Sequence, residues 1–273
     1  MHLNLRKVFD KTVEIFADDP RVIGAWIGGS GNAAMEDVYS DVDPIFIIRD
    51  EDFNTFDVEI RSVFEPLVDE IILWWPERGN NDMVKNYAIL FKAPELLQYD
   101  INIIRESAFS AGWLVSTQPE QILFDKTGIL HRAMENRVKP VHSPEKLLYN
   151  IELFWVYGYI IPKYMLRNQT FKIVYTQTVF FECHLEILHN LMPEVIWDWW
   201  PINVHRLLTP EKRAEMHRYF ANADRESVAK ALPAELDAFS ADARAACAKH
   251  GFEYPDKLEA EVRAFIAKSG CLG

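Results

Sequence analysis

Between Ile23 and Ile48 the chain reads IGAWIGGSGNAAMEDVYSDVDPIFII. An apolar run of strand length enters Gly28, Gly29 and Ser30, a polar connection follows, and Asp41 and Asp43 then open a second apolar run. Side chains two apart on a strand leave from the same face, so the two carboxylates project toward one spot. Like charges held side by side cost stability. Such a pair persists where a divalent cation sits between the acids, and magnesium prefers a few carboxylates together with phosphate oxygens and water. Glycines in the turn let backbone N–H groups approach an anion closely, and the Ser30 hydroxyl adds a donor. A polyphosphate site and a cation site are therefore expected to face one another.

The rest of the first half reads as α/β. An amphipathic helix at about 2–18 precedes strand-length runs at 22–27, 42–48, 70–75, 87–91, 97–104 and 121–124, with a helix over 53–68 marked by Phe56, Ile60, Val63, Phe64 and Leu67. From about residue 143 the texture becomes helical. Ser143-Pro144 and Thr209-Pro210 each place a capping hydroxyl before a proline at the first helical position. The segments 144–167 and 171–191, then three or four shorter ones, are expected to form an all-helical domain, with Pro162 kinking or interrupting the first. The proline-bearing stretch NRVKPVHSP marks the boundary, giving domains at 1–138 and 139–273.

Gly29-Ser30 followed by Ser40-Asp41-Val42-Asp43 resembles the signature of the DNA polymerase β-like nucleotidyltransferase superfamily. Within it, Tyr39-Ser40-Asp41, the Asp125-Lys126-Thr127-Gly128 turn and the helical second half look similar to streptomycin (aminoglycoside) adenylyltransferases and lincosamide nucleotidyltransferases. The resemblance implies an α+β catalytic domain, a mixed sheet flanked by helices, joined to an all-helical substrate-binding domain. It implies ATP or another NTP as donor, Mg2+ on Asp41 and Asp43, phosphates on Gly28, Gly29 and Ser30, and a third carboxylate on a later strand. Asp100, alone in the apolar run LLQYDINII and on one face with Gln98 and Asn102, supplies that third acid, either as metal ligand or as general base. Ala34 stands where family members often carry glycine, and Pro44 removes a ladder donor directly after Asp43.

The same glycines also fit G-x-G-x-x-A, with Asp50 further on, as in a Rossmann dinucleotide site. The segment 32–40 is too short and too polar for the crossover helix that such a unit needs. A catalytically silent, antitoxin-like nucleotide-binding module is the other alternative, and the intact acid pair speaks against it. On the second long helix, Glu182, Glu186 and His189 form a stripe that is expected to be a solvated face. Glu182 and Glu186 are weaker candidates for binding a cationic acceptor. Trp197, Trp199 and Trp200 are expected in the core, and the histidines, His184 and His205 included, show no zinc-ligand spacing.

A formal net charge of −12 argues against broad binding to nucleic-acid backbones and favours a neutral or cationic small-molecule partner. Cys183, Cys247 and Cys271 suggest reduced thiols in a cytoplasm, and no apolar run approaches the ~20 residues of a membrane span. A monomer or a homodimer is expected.

Overall fold

The structure, a computed structural model, describes residues 1–28, 40–196 and 201–272. Helix α1 (Leu3–Asp18) starts where the His2 ring accepts from the Asn4 amide, and it buries Leu5, Val8, Phe9, Thr12 and Phe16, one face at helical spacing. Strand β1 (Val22–Ile27) then pairs antiparallel with β2 (Pro44–Ile48), from Val22 opposite Ile48 to Ile27 opposite Pro44. Pro44 is tolerated because it is the first residue of its strand, where little of the ladder is lost. The antiparallel pairing also rules out the Rossmann alternative, whose first two strands must run parallel through a crossover helix.

Helix α2 (Phe53–Phe64) leads through a single 3-10 turn to β3 (Glu70–Pro76), β4 (Val84–Lys92) and β5 (Leu96–Arg105), which form antiparallel neighbours. Strand β5 returns alongside β2 in parallel, Ile45 opposite Asn102, and β6 (Ile122–Asp125) closes the far edge against β1. Among the described residues the sheet has the order β3-β4-β5-β2-β1-β6. One face packs on α1 and α2 through edge-to-face aromatic pairs, Phe16 with Phe46 at 4.7 Å and Phe64 with Tyr99 at 5.1 Å. A smaller cluster of Ile23, Trp26, Ile47, Ile104, Leu114 and Leu130 covers part of the other face. Leu130 comes from α3 (Ile129–Glu135), a helix the sequence reading did not include.

The chain divides into two compact units, Met1–Val138 and Lys139–Gly273. In the second, α4 (Pro144–Leu166) and α7 (Pro210–Met216) begin on the Ser143 and Thr209 caps as expected. Between them lie α5 (Thr170–Leu191) and α6 (Pro201–Leu207). After α7 come α8 (Arg225–His250) and α9 (Asp256–Ser269). Pro162 does not interrupt α4. It lies buried inside the helix, one turn after Gly158, where a Cβ would come within 3.1 Å of Val262 on α9. Of the segments after α5, α8 is the longest, a helix of 26 residues held by Val228, Leu232, Leu236, Phe239, Ala243 and Ala246. Its Phe239 ring stacks on Phe154 of α4, with centroids 3.5 Å apart. No described helix is long and apolar enough to cross a membrane.

Glu235 of α8 is 1% exposed in this core and accepts from Gln177 Nε2 at 3.3 Å. Burial pushes its carboxyl up from 4.5 to about 8, with Gln177 and the Arg218 charge opposing. A raised folded value means stability that is present below 4.5 and lost as pH rises through about 8. The difference in Tm between Glu235→Gln and the wild type should therefore shift in favour of the variant as pH climbs through that window. A pH-independent difference in melting scans would contradict this.

Candidate functional site

The site is assembled at the mouth of β1, the start of β2 and the middle of β5. Gly28 ends β1, and its amide donates to the Asp43 carbonyl at 2.8 Å, which pins the turn against the start of β2. The approach is tight: a Cβ on Gly28 would lie 2.9 Å from Ile45 Cδ1 and 3.4 Å from the Asp43 carbonyl oxygen. Gln121 Nε2 holds the adjacent Ile27 carbonyl at 3.1 Å.

Just ahead of β2, Val42 is buried in the aromatic core while Asp41 and Asp43 on either side of it are half-buried and outside that core. The Val42 carbonyl accepts from the Asp100 amide at 2.9 Å. This bond carries the parallel β2–β5 ladder back from the Ile45–Asn102 register and sets Asp100 beside Asp43. Carboxylate oxygens of Asp41, Asp43 and Asp100 lie within 4.8 Å of one another. No other set of three His, Cys, Asp or Glu side chains among the described residues brings its ligand atoms so close.

Gln98 and Asn102 flank Asp100 on its face of β5. Gln98 Nε2 donates to both carboxylate oxygens, at 3.2 and 3.1 Å, and Asn102 Nδ2 to the Asp100 carbonyl at 3.3 Å. Burial raises the Asp100 carboxyl to about 6; the Gln98 bond opposes this, and the charges of Asp41 and Glu77 push it further up. Three carboxylates crowded together form a set of hard oxygen donors. That set suits magnesium rather than a soft metal.

The remaining sequence candidates separate. Gly29 and Ser30, with Ala34, lie outside the described residues, as do Trp197, Trp199 and Trp200. Glu186 is half-buried and ion-paired to Lys146 Nζ at 2.7 Å, and Glu182 is exposed one turn earlier. The stripe they share with His189 is solvated at Glu182 only, because His189 is buried and its Nε2 accepts from the Ile196 amide at 2.9 Å. His184 is buried between the Tyr219 hydroxyl and Asp242, each at 2.8 Å, a structural role. The Asp125–Gly128 turn is structural too: Asp125 accepts from the His131 amide and ring, Lys126 Nζ donates to the Asp19 carbonyl at 2.6 Å, and Gly128 at φ 73° starts α3. Glu77, which acts on Asp100, was missed by sequence reasoning. It belongs to no motif, and only the hairpin register brings it to this face.

No curated protein sequence matches the chain. The crystal structure of an aminoglycoside 6-adenyltransferase from Bacillus subtilis aligns with 99% of this chain and 100% of that one, at 14% identity and a TM-score of 0.42. The family description for streptomycin adenylyltransferase matches residues 4–269, which takes in the acid triad, the whole sheet and almost all of the helical unit. By that match the chain belongs to the streptomycin adenylyltransferase family and is a nucleotidyltransferase.

Proposed function

We propose that the protein transfers AMP from ATP to a hydroxyl group of a cationic, aminoglycoside-type antibiotic, with magnesium held by Asp41, Asp43 and Asp100. The observation that carries this reading is the convergence of the three carboxylates within 4.8 Å on one face of the sheet. When bound, magnesium would supply charge neutralisation on the phosphates and on the departing pyrophosphate. The turn at Gly28, Gly29 and Ser30 would bind the polyphosphate through backbone N–H groups and the serine hydroxyl. Asp100, already poised near neutrality, would take the proton of the acceptor hydroxyl as its oxygen bonds to the α-phosphorus and the bond to pyrophosphate breaks. Gln98 would keep the Asp100 carboxylate aimed at that hydroxyl. The net charge of −12 suits a cationic acceptor. The N-terminal unit would then carry the catalytic groups, and the helical unit would add to substrate binding.

The test is pyrophosphate release from ATP, GTP, CTP and UTP over a panel of aminoglycosides and lincosamides, with magnesium and with EDTA. Release from ATP with an aminoglycoside, abolished by EDTA and restored by excess magnesium, is the expected result. Tight ATP binding without release on any acceptor would favour the silent module instead.

A further inference from the structure

The face that carries Asp100 continues across two more strands. Asp100 lies opposite Ala88 on β4, and Ala88 opposite Trp75 on β3. On one side the neighbouring row is Gln98, Leu90 and Leu73. On the other it is Asn102 and Asn86, extended to Glu77, whose amide donates to the Asn86 carbonyl at 3.0 Å. The alternate residues Tyr99, Ile89 and Trp74 belong to the aromatic core, so these rows face away from it. Trp75 and Leu73 are 46% and 44% exposed, and neither they nor Ala88 or Leu90 join a buried cluster.

The alanine between an acid and an indole leaves a shallow trough. Two strand spacings separate Asp100 from Trp75, about 10 Å, which is room for one saturated ring lying over Ala88. Glu77 is half-buried, and its charge reaches Asp100. Asn86 in the same row is tied down by its amide, which donates to Asn80 Oδ1 at 2.6 Å, and by its carbonyl, which accepts from Asn80 Nδ2 at 3.0 Å.

The strand order says which substrate belongs here. Gly28 ends β1, on one side of the acids, while β4 and β3 lie on the other side, beyond Asp100. In an in-line displacement the attacking oxygen enters opposite the departing pyrophosphate. With the polyphosphate at the β1 turn, the acceptor comes from the β4–β3 side.

We propose that Trp75, Ala88 and Glu77 form the acceptor subsite and that it takes an amino-substituted cyclitol or sugar ring: the indole covers the ring and its cationic substituents, and Glu77 pairs with an ammonium or guanidinium group. This rests on the transferase reading above.

The experiment uses calorimetric titration of the full chain with magnesium and a non-hydrolysable ATP analogue, and then with streptomycin or whichever panel acceptor supports pyrophosphate release. Trp75→Ala should weaken acceptor binding by about tenfold, the scale of one cation–aromatic contact, with Trp75→Phe losing less. Glu77→Gln should cost about tenfold as well, the scale of one charged hydrogen bond. Ala88→Leu should block the trough and raise the acceptor KM. Binding of the ATP analogue should stay within about twofold in all of them. Unchanged acceptor binding in Trp75→Ala and Glu77→Gln overturns the subsite and leaves the transferase reading intact. A parallel loss of nucleotide binding would assign the trough to the donor and overturn it too. If the wild type releases no pyrophosphate on any acceptor, the transferase reading fails first and the subsite with it.

Discussion

Asp41→Asn and Asp43→Asn should each lower turnover on the order of 10³-fold or more while the protein still melts cooperatively, within a few degrees of the wild type. Both acids are half-buried just ahead of β2 and neither belongs to the aromatic core that Val42 joins, so that core does not depend on their charge. An amide in place of either carboxylate preserves shape and removes a hard anionic ligand. The loss is in the several kcal/mol that charge stabilisation at phosphorus supplies. Steady-state pyrophosphate release gives the rate, and a thermal melt in EDTA gives the stability. Activity within about tenfold of wild type in either variant would sink the assignment of these residues, whereas a lost melting transition would mean that they hold the fold.

Asp100→Asn should cost activity on a similar scale and yet raise the Tm of the metal-free protein at pH 8. The carboxyl sits at about 6 in the fold against 3.8 unfolded, so ionising it is harder in the native state. Its contribution to stability is fully present below 3.8 and lost as pH rises through about 6. A neutral isostere escapes that loss and still accepts from Gln98. The Tm advantage of the variant should therefore vanish near pH 4 and grow toward pH 8. In the active wild type, a bound cation would favour the charged form, so the rising limb of kcat/KM against pH should fall below 6. A limb well above 6, or a variant less stable at pH 8 than at pH 4 relative to wild type, would contradict the argument.

Much of the fold could be read directly. Strand-length apolar runs anticipated each of the six strands found among the described residues, and Ser143-Pro144 and Thr209-Pro210 marked real helix starts. Local signals failed where packing outweighs them. Helix α3, seven residues long, is too short to show a period, yet its Leu130 is fully buried against the sheet. Pro162 should have broken α4, but burial of the ring and of the residues around it keeps the helix continuous. The length of α8 is not legible either: its alanine- and charge-rich sequence reads as a shorter helix, and packing such as the stack of Phe239 on Phe154 carries it through 26 residues.

The order of residues alone indicated that Asp41 and Asp43, two apart at the head of an apolar run, would come together. It also determined where sheet gives way to helix. Asp100 was expected from the resemblance as a third acid, but only the tertiary structure decided that it lies within 4.8 Å of the other two and that Glu77 and Trp75 share its face. Which strands pair, in which direction and in what register is set by hydrogen bonds and packing between segments far apart in the chain, and a local period carries no record of that choice.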